Sequence, residues 1–432
     1  MGIYIKTYGC TSNKFDSEIM AGLLAKNGFK LASNENEADI IIVNTCAVKS
    51  TTEEKIISYL SKLSNSNKKV IIAGCLPRVN LERIKKAIPN YHAIIDVKSI
   101  DKIVDAVKIG SGIEFFSDSK TDKLSLPRQS FNEVIDIIKI SEGCLSNCTF
   151  CATKLSRGKL NSFRPEKIRS ALIEGLKNGK KEFWLTSEDC SAYGRDIGIN
   201  LIDLLNSIAR IDGKYFVRVG MMNPLHFKKI ELKNLVQSFK NEKIFKFLHL
   251  CVQSFSDRVL KDMKRGYTAK DFLEYVNGFR KEINEITLET DIIVGYPTER
   301  ESDFKKTVKF IKKVKPDIVN ISRFSKRKGT EAYKLKQLPT EVCKERSKKL
   351  TEIVKKISLK KNEKWVGWEG ICLVDEIGKN KTYIARNYCY KPIVLKVNEN
   401  LIGKFVEVKI DGYGERYLAG SILKQHISYA PE

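Results

Sequence analysis

Three cysteines lie close together in the stretch EGCLSNCTFC, which spans residues 142–151. Cys144, Cys148 and Cys151 have the spacing C-x3-C-x2-C. A structural zinc site usually has four protein ligands, and a disulfide framework needs an even number of cysteines. Thiolates are soft ligands that suit iron–sulfur clusters, and three of them on a four-iron cluster leave one iron open. The alternative is a zinc knuckle that takes its fourth ligand from a distant residue.

A second set of three cysteines is spread along the first part of the chain. Each follows an apolar run with the character of a strand: IYIKTYGC ends at Cys10, DIIIVNTC at Cys46 and KVIIAGC at Cys75. The carboxyl ends of parallel strands meet at one edge of a doubly wound sheet, where ligands bind. We therefore expect these cysteines to converge on a second iron–sulfur cluster with an open iron. The alternative is that each is a small buried side chain.

The elements that must position these cysteines begin with an α/β region. Strands are predicted at 3–9, 39–45, 69–74 and 92–96, with helical patterns between them. Nearly continuous apolar strands separated by helices are typical of a parallel sheet covered on both faces. The sequence therefore predicts a doubly wound parallel α/β domain over residues 1–115. A polar stretch with little periodicity, 116–133, is interpreted as a linker.

The strand–helix rhythm resumes at residue 134. Six strands are predicted: VIDIIKI (134–140), EFWLTS (182–187), YFVRVGM (215–221), KFLHLCV (246–252), ITLETDIIV (286–294) and DIVNISRF (317–324). Six βα units fit a partial barrel better than a complete eight-fold one. The barrel region, 134–362, is predicted to end in a basic helix at 344–364. That helix has an apolar stripe, and a solvated face is the plain explanation of its charges.

The last part of the chain, 363–432, changes character again. Five short strands are predicted there: WEGICLVDEI, KTYIARN, PIVLKV, KFVEVKI and RYLAGSIL. Their number and spacing favour a small all-β barrel of the OB type. Its Lys, Arg and Tyr residues could bind RNA, as such barrels often do, or the barrel could be a structural appendage.

Charge and composition bear on partners and location. The formal net charge is +25, from 77 Lys and Arg against 52 Asp and Glu. This excess favours a polyanionic partner such as nucleic acid, although a lysine-rich composition explains part of it. No window approaches the ~18 apolar residues of a membrane span, and the start lacks a secretory signal pattern. We therefore expect a cytoplasmic protein without membrane contact.

Five of the eleven cysteines share no spacing and are interpreted as core or incidental: Cys190, Cys251, Cys343, Cys372 and Cys389.

The two cysteine sets and the three-part organisation resemble the radical S-adenosylmethionine (SAM) methylthiotransferase family. The resemblance covers nearly the entire chain. Several motifs are similar to its archaeal and eukaryotic MtaB-type branch: TYGCTSNKFDSE (7–18), NTCAVKSTTEEK (44–55), GCLPR (74–78), LTSEDCSAYGRDIG (185–198), VRVGMMNP (217–224), DRVLKDMKRGYT (257–268) and DIIVGYPTERESDF (291–304). The small C-terminal barrel looks like the family's TRAM domain, an RNA-binding module.

The resemblance implies two 4Fe–4S clusters and SAM as cofactors. The first cluster is expected on Cys144, Cys148 and Cys151, and the second on Cys10, Cys46 and Cys75. In the family the first cluster binds and cleaves SAM, which is both radical source and methyl donor, while the second carries or activates sulfur. The branch methylthiolates N6-threonylcarbamoyladenosine, which lies just 3′ of the anticodon in certain tRNAs. Radical chemistry suits this reaction because the C–H bond that the methylthio group replaces is unreactive.

Family position also implies roles for other residues. Phe150 is expected against the adenine of SAM, and Glu188 and Asp189 near its amino group or the substrate. Arg218 is expected at the SAM carboxylate, because Arg suits bidentate carboxylate binding. Structural ion pairs are the alternative for Glu188, Asp189 and Arg218. A basic loop after the sixth strand either contacts tRNA phosphates or is only solvated: Arg323, Lys326, Arg327 and Lys328.

The expected partners are the tRNA anticodon stem-loop, an electron donor and a sulfur donor, with the chain acting as a monomer. Two stretches depart from the family pattern. Residues 249–256 read HLCVQSFS instead of HLPVQSGS, and 327–332 read RKGTEA instead of RPGTPA. Three alternative functions remain open at this point: methylthiolation of isopentenyladenosine in tRNA, methylthiolation of a ribosomal protein, and RNA binding by an iron–sulfur protein without catalysis.

Overall fold

The N-terminal part of the chain forms a parallel sheet with helices on both faces. The computed structural model describes residues 1–119, 121–227 and 232–424. It orders six strands as β2-β1-β3-β4-β5-β6. The strands are β1 (Gly2–Thr7), β2 (Lys30–Leu31), β3 (Ile40–Thr45), β4 (Lys69–Gly74), β5 (Ala93–Ile95) and β6 (Ile113–Phe115). The helices are α1 (Thr11–Lys26), α2 (Ser50–Ser64), α3 (Leu76–Ala87) and α4 (Ile103–Ile109). The predicted doubly wound sheet is confirmed, with two short strands added.

Alternation along the strands divides this core into two layers. Ile40 and Ile42 pack on the side of α1 and α4. Ile41 and Val43 pack on the opposite side, with α2 and α3. Every residue of β3 is buried, which explains why its first four residues are all apolar.

The segment 116–133 has little regular structure, yet it packs tightly against the α/β region. It contains one three-residue 3-10 turn, Lys123–Ser125. Leu124 and Leu126 join the core on the α1 side of the sheet. The backbone of Pro127 approaches α1 at Gly22, where a Cβ would lie 2.5 Å from the Pro127 carbonyl oxygen. Lys123 and Arg128 of this segment pair with carboxylates of the neighbouring regions, so part of its polar composition serves contacts within the protein.

Six parallel strands of the second region form an open barrel. They make two sheets, β11-β10-β7 and β12-β13-β14, which parallel bridges at Val217–Ile244 and Met222–Leu250 connect. The strands are β7 (Ile135–Lys139), β10 (Glu182–Thr186), β11 (Phe216–Val219), β12 (Phe247–His249), β13 (Thr287–Val294) and β14 (Ile318–Arg323), with a small hairpin of β8 (Ser141–Glu142) and β9 (Asn161–Ser162). All six predicted barrel strands are confirmed.

Helices connect the strands of this region, and most of them pack on the outer face of the barrel. They are α5 (Thr153–Arg157), α6 (Pro165–Lys177), α7 (Leu201–Ala209), α8 (Pro224–Phe227), α9 (Leu232–Lys240), α10 (Asp257–Asp262), α11 (Ala269–Glu282), α12 (Glu301–Val314) and α13 (Thr340–Glu363). Helix α13 is the predicted basic helix and begins four residues earlier than expected. Its apolar stripe, with Leu350 buried and Ile353 and Ile357 beside it, packs on the barrel core.

The C-terminal region is a closed barrel of five strands, as predicted. The strands are β15 (Glu369–Ile377), β16 (Thr382–Arg386), β17 (Pro392–Lys396), β18 (Phe405–Tyr413) and β19 (Leu418–Lys424), in the order β15-β16-β17-β19-β18. Buried alternate residues such as Cys372, Val374 and Leu395 fill its interior. Residues 425–432 of the predicted domain lie outside the described residues. None of the helices in the described ranges is both long enough and apolar enough to cross a membrane.

Candidate active site

The structure brings Cys10, Cys46 and Cys75 together at the carboxyl edge of the N-terminal sheet. Cys10 precedes α1, Cys46 follows β3, and Cys75 lies between β4 and α3, and their strands are neighbours. Asn13 Oδ1 lies 3.7 Å from the Sγ atoms of both Cys10 and Cys75. Cys46 packs on Gly9, where a Cβ would lie 3.0 Å from the Cys46 sulfur. The structure therefore brings these three thiols together, and their role as ligands of a cluster stays a prediction.

Cys144, Cys148 and Cys151 lie in the loop between β8 and α5, beyond the first barrel strand β7. All three are partly exposed. Gly143, with a φ of +78°, begins this loop, and a Cβ there would lie 2.2 Å from the Lys159 carbonyl oxygen. Only glycine fits both the backbone conformation and the close approach. The loop thus turns sharply at the end of the barrel strand and presents its thiols there.

A guanidinium group lies close to each set of thiols. Arg265 Nη1 donates a hydrogen bond to Cys148 Sγ at 3.1 Å. Burial raises the pKa of Cys75, and the charge of Arg157 opposes that rise. Burial also raises the pKa of Cys144 to about 12. Three convergent thiols with a nearby positive charge fit a cluster held by three cysteines, because thiolates are the usual donors to iron–sulfur clusters.

A buried network of charges joins the two cysteine sites, and the sequence analysis did not predict it. Arg157, at the end of α5, donates to Asp16 Oδ2 at 2.8 Å and to Glu142 Oε1 at 2.7 Å. Its Nη2 also donates to Asn13 Oδ1 at 2.9 Å, the same oxygen that lies between Cys10 and Cys75. A single side chain from the barrel therefore reaches the amide at the centre of the N-terminal cysteine site.

The network balances its own charge. Its acids are Asp16, Glu142 and Glu188, and its bases are Lys123, Lys139 and Arg157. Lys123 Nζ lies 2.8 Å from Asp16 and 2.9 Å from Glu142. Burial opposes ionisation of Glu142, but the surrounding positive charges outweigh it and hold the pKa of that carboxyl below its usual value. Such pairing is what allows charged side chains to be buried.

The structure places Phe150 beside the third cysteine of the first motif. Its ring is partly buried and packs against a small apolar cluster that includes Val259, Met263 and Tyr296. The expected contact with the adenine of SAM stays a prediction.

Glu188 and Asp189 follow β10; Asp189 is buried, and the side chain of Glu188 is 5% exposed. Glu188 accepts hydrogen bonds from Ser12 Oγ at 3.1 Å and from the Gly143 backbone N–H at 2.8 Å. Asp189 Oδ2 lies 3.2 Å from His226 Nε2. These contacts match the structural alternative, in which the carboxylates tie loops together. Their predicted role towards SAM or the substrate is not tested by these contacts.

Arg218 projects into the barrel from β11 and lies among aromatic rings. Its guanidinium carbon is 5.2 Å from the ring centre of Trp184, 4.9 Å from Phe247 and 5.2 Å from Tyr390. Its buried Nε has no hydrogen-bond partner among the described residues. The predicted contact of Arg218 with the SAM carboxylate stays a prediction.

The basic loop after β14 divides into exposed and buried members. Three of its side chains are exposed: Arg323, Lys326 and Lys328. The prediction that Arg327 contacts RNA is wrong for this structure, because Arg327 is only 5% exposed. It forms an ion pair with Glu53 and donates to the Val48 carbonyl oxygen at 2.9 Å. Arg327 instead fastens the barrel loop to the start of α2.

Comparison with known proteins agrees with this arrangement. Residues 2–96 match the family described as Uncharacterized protein family UPF0004, and residues 138–311 match the Radical SAM superfamily. A probable threonylcarbamoyladenosine tRNA methylthiotransferase of Pyrococcus horikoshii is 44% identical over 427 residues, covering 98% of this chain and 99% of that protein. The chain belongs to the threonylcarbamoyladenosine tRNA methylthiotransferase family. The human member of this family is 34% identical, and the match covers 99% of this chain and 75% of the human protein.

Solved structures support the fold of this family member. The radical SAM methyltransferase TsrM of Kitasatospora setae, solved with tryptophan and a SAM analogue, has a TM-score of 0.54 and 12% identity. The match covers 77% of this chain and 75% of TsrM. At this identity the likeness shows a shared radical SAM architecture and no more.

The residues that depart from the family pattern lie in different surroundings. Phe255 is buried in the core between strands and helices, where its ring stacks on Phe310 at 5.1 Å and meets the edge of Phe272 at 5.2 Å. A glycine there would leave that space unfilled. Glu331 lies on the surface, 2.7 Å from Lys264.

Proposed function

We propose that this chain is a tRNA-modifying enzyme that converts N6-threonylcarbamoyladenosine to 2-methylthio-N6-threonylcarbamoyladenosine by radical SAM chemistry. The observation that carries the proposal is the pair of three-cysteine sites at the ends of parallel strands, joined by one buried charge network. The family membership of the chain supports the choice of nucleoside. It favours threonylcarbamoyladenosine over isopentenyladenosine or a ribosomal protein residue.

Each cysteine site would hold one 4Fe–4S cluster. Cys144, Cys148 and Cys151 would hold the cluster that binds SAM, and Cys10, Cys46 and Cys75 would hold the second. When bound, SAM and the two clusters together supply the radical, the methyl group and the sulfur that are needed to replace an unreactive C–H bond. Three cysteines per cluster leave one iron available to a ligand that the chain does not provide.

The chain's own side chains position these sites. Arg265 is buried and held on several sides: Nε donates to Tyr267 at 3.0 Å, and Nη2 donates to Asn223 at 3.1 Å and to the Cys251 carbonyl oxygen at 2.9 Å. The remaining nitrogen, Nη1, donates to the sulfur of Cys148. Arg265 therefore ties the loop of the first cysteine set to the segment that follows β12. A held guanidinium also offsets negative charge on the thiolates.

The division of labour follows the three regions of the chain. Residues 1–115 would hold the second cluster, and 134–362 would hold the first cluster and SAM. The segment 116–133 connects them and contributes Lys123 to their shared network. The C-terminal barrel, 363–432, would bind RNA together with the exposed Arg323, Lys326 and Lys328, which suits a chain of net charge +25. The partners in this proposal are the tRNA anticodon stem-loop, an electron donor and a sulfur donor, and the chain works as a cytoplasmic monomer.

Anaerobic reconstitution tests the cofactor part of this proposal. The reconstituted protein is expected to hold about eight irons per chain, as two four-iron clusters require. With SAM and a reductant it should release 5′-deoxyadenosine. An iron content near four per chain, or no 5′-deoxyadenosine, would show that the two-cluster radical enzyme is the wrong assignment and leave an RNA-binding iron–sulfur protein.

A further inference from the structure

Three side chains with metal-binding donor atoms converge inside the barrel, in addition to the six cysteines of the cluster sites. His249 ends β12, Cys251 follows two residues later, and Asp291 lies on β13. The His249 ring nitrogen, the Cys251 sulfur and an Asp291 carboxylate oxygen lie within 4.8 Å of one another. Asp291 Oδ2 accepts hydrogen bonds from His249 Nε2 at 2.8 Å and from Cys251 Sγ at 2.7 Å.

Strand alternation places these three side chains on the inner face of the barrel. Leu250 and Ile292, which alternate with them, are buried in the core between the strands and the outer helices. Successive side chains of a strand point to opposite faces, so His249, Cys251 and Asp291 face the interior. Parallel pairing of β12 with β13 then sets the cysteine beside the aspartate.

We propose that His249, Cys251 and Asp291 form a binding site for a divalent ion of the zinc type. Zinc takes imidazole nitrogen, thiolate sulfur and carboxylate oxygen at about 2.0–2.3 Å, which at tetrahedral angles separates the donors by about 3.3–3.7 Å. The two observed hydrogen bonds are shorter than that. A metal ion would displace both bridging protons, and the donors of these two hydrogen-bonded pairs would move apart by about 1 Å or less to hold it.

Neighbouring groups already orient the ligands. Glu289 Oε2 lies 4.0 Å from Nδ1 of His249, the ring nitrogen that faces away from the proposed ion. Asn320 donates to the other oxygen of Glu289 at 2.7 Å and so fixes that carboxylate. Metal-binding histidines usually donate their second ring N–H to a carboxylate, and Glu289 lies within a short side-chain movement of that position. The backbone of Cys251 is held by Arg265, which donates to its carbonyl oxygen at 2.9 Å.

Three protein ligands leave one position of a tetrahedral ion free. The side chains of His249 and Asp291 are 11% and 26% exposed, so water or another oxygen or nitrogen donor can reach that position from the barrel interior. An open position distinguishes reactive zinc sites from closed structural ones. The thiol belongs to this chain's departure from the family pattern, in which proline is usual at residue 251. Zinc binding requires neither tRNA nor SAM, so its test is independent of the proposed function.

The experiment measures zinc in the reconstituted holoenzyme, whose cluster cysteines are occupied by iron. The protein is incubated with Zn²⁺, dialysed and analysed for zinc and iron by mass spectrometry. Four proteins are compared: wild type, Cys251→Ala, Asp291→Asn and Cys372→Ala. Cys372 is the matched control, because it is an equally buried thiol in the interior of the C-terminal barrel.

Wild type and Cys372→Ala are expected to retain about one zinc ion per chain, and Cys251→Ala and Asp291→Asn to lose it. Iron content should be equal in all four proteins, which shows that the variants fold and keep their clusters. X-ray absorption at the zinc edge of the wild type should show one sulfur and two protein nitrogen or oxygen ligands. Retention of the ion by Cys251→Ala, absence of zinc from the wild type, or a sulfur count other than one would each overturn the site.

Discussion

Arg157 Nη2 donates a hydrogen bond to Asp16 Oδ2 at 2.8 Å, although the two residues are 141 apart in sequence. Both side chains are 1% exposed. Asp16 lies on the helix that begins after Cys10, and Arg157 ends the helix that follows Cys151. This contact therefore links the two cysteine sites directly, and a fixed separation between the proposed clusters follows from it.

Loss of one partner in this network should destabilise the protein strongly. Asp16→Asn removes one of three balancing negative charges and leaves Lys123 and Arg157 buried with excess positive charge. Breaking a buried ion pair in this way costs about 3–5 kcal/mol. Denaturant unfolding of the reconstituted protein measures this loss. Glu331→Gln, which breaks an exposed pair with Lys264, is the control and should change little. Equal stability of the two variants would mean that the network does not hold the regions together.

The two cysteine sites should fail in different ways when they are mutated. Cys148→Ala removes a proposed ligand of the SAM-binding cluster, so 5′-deoxyadenosine formation should be lost. Cys46→Ala removes a proposed ligand of the second cluster, so SAM cleavage should continue while sulfur insertion is lost. Chromatography of 5′-deoxyadenosine and of tRNA nucleosides separates these outcomes. Cys372→Ala should leave both products unchanged. Full methylthiolation by Cys46→Ala would show that sulfur insertion does not need the second cluster.

The location of the six cysteines could be predicted because it depends on local patterns. Apolar runs mark the strands, and a residue just after a parallel strand must lie at the carboxyl edge of its sheet. The network around Arg157 could not be predicted, because its partners are brought together only by the packing of distant segments. Lys123 lies in a polar stretch that has the pattern of a solvated linker, and only the fold shows that its charge is buried.

The basic loop shows a second limit of sequence reasoning. In the run RFSKRK, Arg327 cannot be distinguished from its exposed neighbours by residue type. Its burial depends on Glu53, which lies 274 residues earlier in the chain. In the same way, His249 and Asp291 carry no signal in sequence, since the pairing of β12 with β13 creates their contact.

The buried carboxyl of Glu18, on α1, predicts a pH dependence of stability. Glu18 shares Arg128 with Asp136, whose carboxylate lies closer to the guanidinium, at 2.7 Å against 3.2 Å. Burial raises the pKa of Glu18 to about 7, because one guanidinium does not offset two buried carboxylates. A raised carboxyl pKa contributes stability below the unfolded value of about 4.3, and this contribution is lost as the pH rises towards 7.

Glu18→Gln, which cannot ionise, should therefore be more stable than wild type at pH 8, by an amount on the order of 2 kcal/mol. The difference should shrink as the pH falls from 8 to 5. Unfolding curves at several pH values measure it, with the exposed Glu274→Gln as a control that should show no such trend. A constant difference between pH 5 and 8 would contradict a protonated Glu18.

The exposed members of the basic loop should contribute to tRNA affinity. Replacing Arg323, Lys326 and Lys328 together by Ala should weaken binding and lower the slope of log affinity against log salt by about 2–3. Replacing Lys305, Lys306 and Lys309 of α12, which are also exposed, removes the same charge and serves as control. Filter binding at several salt concentrations measures both. Identical slopes for the two triple variants would show that net charge, and not this loop, binds the RNA.

The most direct test of the central claim is mass spectrometry of tRNA nucleosides after reaction. Reconstituted protein, SAM and a reductant are incubated with tRNA that carries N6-threonylcarbamoyladenosine and, separately, with tRNA that carries isopentenyladenosine. We expect 2-methylthio-N6-threonylcarbamoyladenosine from the first tRNA and no change in the second. Unchanged N6-threonylcarbamoyladenosine in a preparation that releases 5′-deoxyadenosine, or methylthiolation of isopentenyladenosine instead, would contradict it.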